Sequence, residues 1–433
     1  MIWSSIYGLS PSVLEGLYYV SYFFVPLFLI NTLWEFWVRY RRALYFAKQT
    51  YVLLEIKLPR EIFKSPRAME FCIAGMWQMI GEGNWFEKYW KGMVRAHFSL
   101  EIVSIDGVVH FYIYTKKGHK NQVEANLYSQ YPGIEIYEVS DYSIPFRHDP
   151  EVSTFWACEF ELSKADAFPI KTYIDYGMEK DPKEEFKIDP MTPFIEFIGS
   201  LPRGNNVWLQ FIIRAHKAEE KDRKKTFRTW KIWETWKMKD VWDFMSKKDY
   251  KWKEAAQEEI DKIIAGTKGE KDKDGKFVPG TGRQPTEIEK ETIAALGRSI
   301  SKNGFDVGMR LIYTAPKDVF VIMNLAGIIG GIAHFNSHLN GFKTTNGSAE
   351  YHKHFLLSWW KRSERVRNVE QQNMLDAYKR RAFFYWPYKR EKTFVLNSEE
   401  LATVFHLPGG VASTPSFTRI ESRKAEPPAN LPV

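Results

Sequence analysis

One order of elements occurs twice in this sequence and constrains its fold more than any other feature. From Thr50 to Val139 the residues read as strand, helix, strand, strand, helix, strand, and the order returns from Thr154 to Thr345. This β-α-β-β-α-β order is that of a ferredoxin-like α+β sandwich. We therefore expect two tandem ferredoxin-like units, at residues 49–150 and 151–346, the second with a long helical insertion at 216–303.

Local signals mark the ends of several of these elements. Asp106-Gly107 lies between two apolar runs and predicts a β-hairpin turn. Ser65 followed by Pro66 predicts the start of a helix, with Ser65 as its N-cap. From Pro316 to about His338 the sequence predicts a strongly apolar helix. Its core, Val319 to Ile332, is too short to span a bilayer, so we expect this helix to be buried against the sheet.

The N-terminal segment has a different character. Gly16 to Trp34 contains no charged residue, basic residues follow it, and none precedes it. Nineteen residues are enough to span a bilayer as a helix, and the charge asymmetry predicts that the remainder lies in the cytoplasm. A cleaved signal peptide and a buried or interfacial helix are the alternatives. We expect a single-pass transmembrane anchor at residues 1–48 in a bacterial inner (cytoplasmic) membrane, in contact with the lipid bilayer through Tyr18, Phe23, Phe24, Leu27, Trp34, Arg39, Arg41 and Arg42.

The insertion mixes both signs of charge with tryptophan. Its tryptophans recur at every third position, which can place them on one face of a helix. One interpretation is a surface for single-stranded nucleic acid such as DNA, with rings for bases and basic groups for phosphates. The other is a helical hairpin that packs on itself or on a partner, and the many acidic residues favour it. The residues concerned are Trp230, Trp233, Trp236, Lys224, Lys225 and Arg228.

No residue pattern predicts a metal or disulfide site. Cys72 and Cys158 are the only cysteines, and they form no CxxC pair. His334 and His338 stand four apart, as zinc ligands can, but Phe335 follows the first histidine where a zinc protease has Glu. We expect no metal and no cofactor.

No residue pattern predicts a catalytic site either. Lysine and glycine occur together near Gly275-Lys276 without the spacing of a phosphate-binding loop. Glu159, Glu161 and Glu196 are interpreted as exposed positions on a strand and a helix. We therefore expect that the chain is not an enzyme.

The C-terminal part, residues 347–433, combines helical and extended segments with phrases that resemble a known family. FVLNSEELAT at Phe394–Thr403, FHLPG at Phe405–Gly409 and ESRKAEPPANLP at Glu421–Pro432 look like the segment that directly precedes the motor domain in type IV secretion (conjugation) ATPases of the coupling-protein and HerA-related group. Further phrases resemble the non-motor N-terminal domain of those proteins: Leu54-Glu55-Ile56, Ser65–Glu70, Phe98–Ile102, Val123-Glu124-Ala125 and Tyr131-Pro132.

The resemblance implies a function that does not include a motor domain in this sequence. In those relatives a motor with a Walker motif follows, whereas this sequence ends at Val433. It implies a membrane-anchored scaffold that positions a separate Walker-type ATPase subunit, and a second copy of the chain in a homo-oligomer is a further candidate partner. The alternative is a membrane-tethered binder of single-stranded nucleic acid. The residues expected to dock the motor are Phe394, Leu401, Phe405, Pro408, Pro427 and Pro428.

Overall fold

The computed structural model describes residues 11–58, 64–78, 84–179, 189–217, 252–267, 283–345, 364–388 and 393–408. The chain divides into two compact units. Unit 1 comprises residues 1–50 and 79–95, and unit 2 comprises residues 51–78 and 96–433.

The elements alternate along the chain. The strands are β1 (Tyr51–Lys57), β2 (His97–Ile105), β3 (Val108–Lys116), β4 (Glu135–Val139), β5 (Ser153–Leu162), β6 (Asn206–Ala215), β7 (Gly304–Pro316), β8 (Phe342–Thr344) and β9 (Phe394–Asn397). The helices are α1 (Pro11–Ala47), α2 (Pro66–Gly75), α3 (Trp85–Tyr89), α4 (Lys120–Gln130), α5 (Thr192–Gly199), α6 (Trp252–Thr267), α7 (Glu287–Ser301), α8 (Asn324–Ala333), α9 (Glu364–Lys379) and α10 (Ser398–Val404).

Unit 2 contains one continuous antiparallel sheet. Its strand order is β4-β1-β3-β2-β6-β7-β5-β8, and β9 pairs with β7. The two halves of the sheet are joined by the pairing of β2 with β6, which aligns Phe98 with Ile213 and Ile105 with Asn206. Strand edges left unpaired are open to association, and here β2 and β6 cover each other.

The predicted fold class therefore needs correction. Two tandem ferredoxin-like units with separate sheets were expected, but within the described ranges the two halves share one nine-stranded sheet in an α+β fold. The order of elements along the chain does not determine which strand edges meet in space. The pairing of β2 with β6 joins residues about a hundred positions apart. The residue pattern within either segment therefore does not predict that these two strands pair.

The predicted transmembrane helix is a second correction. α1 is a continuous helix of 37 residues with Pro26 inside it. Across the part of the chain that is described, no helix is long and apolar enough to cross a membrane. α1 continues past the apolar run through Glu35, Arg39, Arg41 and Arg42 to Ala47.

The two faces of the sheet are covered differently. Alternate residues of a strand point to opposite faces, so Phe98, Leu100 and Ile102 of β2 enter one core while Ser99, Glu101 and Val103 face the other way. The larger core contains side chains from α2, α4, α5, α8 and α10, including Met69, Cys72, Val123, Leu127, Ile195, Ile328 and Leu401.

The second face is the one that carries polar side chains. Leu375 and Tyr378 of α9 share an apolar cluster there with Trp208 and Ile312. The residues after α9 lie over the neighbouring part of this face, where the Phe383 and Phe384 rings contact Arg310 and Arg214.

Candidate functional site

A row of polar side chains crosses the second face of the sheet. Glu101 on β2 stands opposite Gln210 on β6, Gln210 opposite Arg310 on β7, and Arg310 opposite Glu159 on β5. All four are buried. Burying charge is unfavourable unless the charges are paired and hydrogen-bonded, so the partners of this row decide what it does.

Arg381, just after the end of α9, supplies the main partner. Its guanidinium donates from Nε to Glu101 Oε1 at 3.0 Å and from Nη2 to Glu101 Oε2 at 3.2 Å, and it also binds Asp141. It lies 4.4 Å from the centre of the Tyr114 ring. Burial raises the pKa of Asp141, but the Arg381 guanidinium outweighs that effect and holds it below its usual value.

The Glu101 carboxylate accepts further hydrogen bonds. Its donors are the Ser99 hydroxyl at 2.6 Å, the Tyr142 hydroxyl at 2.8 Å and Gln210 Nε2 at 2.9 Å. The Tyr142 and Tyr378 oxygens are 2.6 Å apart. Burial raises the pKa of both phenols well above the ordinary value, so they remain protonated and able to donate.

Two more buried ion pairs extend the layer. Arg310 donates to Glu159 at 2.8 Å, and its guanidinium lies 4.7 Å from the centre of the Phe383 ring. Arg214 on β6 donates to Asp306 on β7 at 3.0 Å and lies 4.2 Å from the Phe384 ring. We use the name charged layer for the ion pairs of Arg381, Arg310 and Arg214 with their carboxylates, together with the Arg381–Tyr385 segment over them.

The charged layer holds the segment after α9 in place on the sheet. Each carboxylate named in it has a guanidinium partner, and rings of the same short segment cover two of the guanidinium groups. A chemical role needs a group that can change partners with a ligand, whereas these groups are engaged with each other. The arrangement therefore holds the residues after α9 across β2, β6 and β7.

A second polar cluster holds the last described strand and helix in unit 2. Asn397 and Glu400 form a capping box at the start of α10, and Glu400 Oε1 also accepts from the Ile170 backbone N–H at 2.9 Å. At the end of α10, His406 Nε2 lies 3.1 Å from Asp189 Oδ1. These contacts join α10 to the chain before α5.

Burial and charge pull the pKa values of this cluster in opposite directions. Burial lowers the pKa of His406, but the Asp189 carboxylate outweighs it, so that the pKa is raised. For Asp189, burial raises the pKa and His406 lowers it, with a net lowering. Burial raises the pKa of Glu400 to about 8, although the N–H groups of Asn397 and Ile170 oppose this change.

These shifts predict a loss of stability at alkaline pH. His406 has a raised folded-state pKa, so its contribution is complete below the unfolded-state value and is lost as pH rises through the folded-state value. Glu400 acts in the same direction because its folded form also binds a proton more tightly. Asp189 contributes at neutral pH and loses its contribution only on acidification. We expect the unfolding free energy to fall as the pH rises from about 6 through about 8, the pKa of Glu400.

Urea unfolding measured across this pH range checks the prediction. His406→Gln should flatten the profile, and His338→Gln, on a loop, should leave it unchanged. A profile that keeps its full slope in His406→Gln would contradict the assignment to this pair.

The expected motor-docking residues divide into two groups. Phe394, Leu401, Phe405 and Pro408 are buried in unit 2, on β9, on α10 and just after it. Their side chains are therefore part of the core and are not available to a partner while the fold is intact. Pro427 and Pro428 lie outside the described residues.

The expected anchor residues lie on α1. The side chains of Tyr18, Phe23 and Phe24 are outside the described part, and Leu27 is exposed. Trp34 stacks on Trp85 of α3 with ring centres 6.0 Å apart. Arg39 pairs with Glu35 at 2.9 Å, Arg41 donates to the Trp90 carbonyl, and Arg42 is half-buried.

The expected nucleic-acid surface lies outside the described residues, namely Trp230, Trp233, Trp236, Lys224, Lys225 and Arg228. The described parts of the insertion, α6 and α7, share an apolar cluster containing Ala256, Ile260 and Leu296. His334 and His338 are not on one helical face, because α8 ends at Ala333. Within the described ranges there is no group of residues that could hold a metal ion.

Sequence reasoning missed the charged layer and misjudged one of its members. Glu159 was interpreted as exposed, but it is buried against Arg310. The available signal was a charged residue in the middle of an otherwise apolar strand, as at Glu101, Glu159 and Arg310. Such positions are rarely buried unless paired, so several of them on neighbouring strands could have indicated mutual pairing.

These features define a class, an α+β protein built on a broad antiparallel sheet with charged groups paired across one face. Residues 84–419 match the family model described as domain of unknown function (DUF8128). The match covers more than half of the chain, so the chain belongs to this family. No curated protein matches it.

Proposed function

We propose that this protein is a scaffold that binds and positions a separate protein subunit. The observation that carries the proposal is the charged layer, in which buried arginines on neighbouring strands pair with carboxylates and with the segment after α9. Such pairs are poor sources of net stability but specify one arrangement of the elements that they join. A fixed arrangement is what a scaffold requires in order to hold a partner in place.

The subunit that we propose is a Walker-type ATPase of a translocation machine similar to type IV secretion. The support is the resemblance to non-motor modules of conjugation ATPases. Its phrases fall on elements of unit 2: Leu54-Glu55-Ile56 lies in β1, Phe98–Ile102 in β2, Val123-Glu124-Ala125 in α4 and Phe394–Asn397 in β9. Because the resembling phrases lie on elements that pack together in unit 2, they are consistent with a single non-motor module.

The test first asks whether a neighbouring reading frame encodes a Walker-type ATPase and then measures association of the full chain with that ATPase. We expect the purified full chain to bind that ATPase after nuclease treatment, with an affinity that changes little between about 0.1 and about 0.4 M salt. Deletion of residues 424–433 should weaken binding if Pro427 and Pro428 belong to the docking segment. The matched control replaces the same residues by a scrambled sequence of equal charge.

Three results would count against the scaffold. Absence of association with the intact chain removes the proposed partner. Binding only to single-stranded oligonucleotide, with a steep loss on adding salt, would favour the nucleic-acid function instead. Hydrolysis of nucleotide by the purified chain alone would show that it carries its own catalytic site.

A further inference from the structure

Unit 1 exposes an unusual concentration of aromatic rings. Trp85, Phe86 and Trp90 are exposed by 59%, 50% and 44%, although such side chains are usually covered. On α1, Leu33 and Phe36 are exposed by 70% and 60%. Large exposed apolar patches mark sites where another surface binds.

The rings form one surface because α1 and α3 pack through them. Trp34 lies 6.0 Å from Trp85 and 5.5 Å from Tyr89, and Trp37 lies 5.3 Å from Trp90, measured between ring centres. The aromatic–basic surface, as we name it, comprises Trp34, Trp37, Trp85, Phe86, Tyr89 and Trp90 with Arg41, Lys88 and Lys91.

The backbone keeps this surface in shape. Arg41 Nε donates to the Trp90 carbonyl at 2.5 Å. Gly92 has a φ of +69°, and a Cβ there would lie 2.4 Å from the Arg41 backbone. Only glycine allows so close an approach with this conformation, so the two segments are positioned before any ligand arrives.

Positive charge is interleaved with the rings. Residues 34–48 and 84–91 contain six Lys or Arg and two Glu. The Lys88 ammonium lies 5.8 Å from the Tyr89 ring centre and that of Lys91 5.8 Å from the Phe86 ring centre, and the Arg41 guanidinium lies 5.6 Å from the Trp37 ring centre. The occupant must therefore offer both apolar material and negative charge.

We infer that the aromatic–basic surface binds the surface of a bilayer that contains anionic lipid. Tryptophan and tyrosine rings favour the boundary between headgroups and acyl chains, and Lys and Arg reach from there to lipid phosphates. The contact is peripheral, since the rings enter the interface from one side and no helix has to cross the bilayer. It is independent of the proposed ATPase partner.

Two other ligands, a protein partner and single-stranded nucleic acid, fit this surface less well. Protein interfaces are depleted in lysine, whereas Lys88 and Lys91 lie among the rings here. Single-stranded nucleic acid stacks its bases on open ring faces. The stacking of Trp34 on Trp85 and of Phe86 near Trp90, with ring planes 17° and 18° apart, uses such faces within unit 1.

Flotation of the full chain with lipid vesicles tests the inference. Vesicles of phosphatidylcholine alone are compared with vesicles that also contain phosphatidylserine. We expect the charged vesicles to bind at least about tenfold more protein, and Lys88→Glu with Lys91→Glu to remove most of that gain, because each basic side chain near an anionic surface contributes to binding. The matched control is Lys262→Glu with Lys290→Glu, the same charge change at exposed positions of α6 and α7.

A second variant tests the rings. Trp85→Ser with Trp90→Ser should reduce binding to charged vesicles at about 0.4 M salt, where screening weakens the ionic part. Circular dichroism and hydrogen exchange in unit 1, which contains the substituted residues, show whether these variants remain folded.

Several outcomes would overturn the inference. They are equal binding to both vesicle types, equal binding by the Lys88/Lys91 variant and its control, self-association of the chain through this surface without vesicle binding, and binding of a single-stranded oligonucleotide without vesicle binding. Because the ATPase experiment contains no lipid, failure here and failure of the proposed function can be told apart.

Discussion

Replacement of Arg381 by methionine is expected to destabilise unit 2 by about 3–5 kcal/mol. Methionine keeps much of the apolar volume of the side chain but leaves Glu101 and Asp141 without their shared cation. Glu101 is completely buried, so water cannot solvate its charge. Urea unfolding combined with hydrogen exchange of β2 and β6 measures the effect, and the exchange separates this region from the rest of the chain.

Arg380→Met is the matched control for this experiment. Arg380 is largely exposed and pairs with Asp376 one helical turn away at 2.7 Å. Exposed pairs of this kind contribute about 0.5 kcal/mol or less. If Arg381→Met lost no more stability than Arg380→Met, the charged layer would not fasten the segment after α9.

A combined variant can show that the effect comes from uncompensated charge. Adding Glu101→Gln and Asp141→Asn to Arg381→Met removes the two stranded carboxylates. We expect part of the stability to return, because breaking one member of a buried pair is worse than neutralising all of them. No recovery would indicate that the loss came from packing alone.

Replacement of Phe405 by alanine is expected to destabilise unit 2 by about 3–5 kcal/mol. Phe405 has no exposed surface, and its ring meets Phe111 of β3 edge to face, with centres 6.1 Å apart. Removing it leaves a cavity between α10 and the sheet. The urea midpoint, with the slope of the transition unchanged, measures the loss.

Phe71→Ala provides the matched control, since Phe71 lies on α2 and is 59% exposed. Its replacement should change stability by about 0.5 kcal/mol or less. Equal effects at the two positions would mean that the Phe394–Leu407 segment is not part of the core. In that case these side chains would be accessible to a motor subunit.

The local predictions that succeed are those governed by neighbouring residues. The hairpin turn at Asp106-Gly107 is confirmed, with φ of 54° and 84°, because few residues adopt such angles. The helix start at Pro66 after Ser65 is confirmed as well. At the apolar run from Pro316 the prediction is only partly right, since α8 begins at Asn324 and Val321, Ile322 and Met323 before it are exposed.

The predictions that fail depend on residues far apart in the chain. Glu159 looked like an exposed strand position until Arg310, about 150 residues later, was seen to face it. Arg381 and Glu101 are 280 residues apart, and no motif links them. Phe394, Leu401 and Phe405 resembled a docking segment, yet β9 and α10 are packed into unit 2.

The sequence by itself determined the order of the strands and helices in unit 2 and the hairpin turn at Asp106-Gly107, because these depend on backbone preferences and on periodicity over a few residues. Only the tertiary structure decided that the two halves share one sheet through β2 and β6, and that buried arginines meet their carboxylates across it. Those contacts join distant segments, and their energies arise only when burial removes both partners from water.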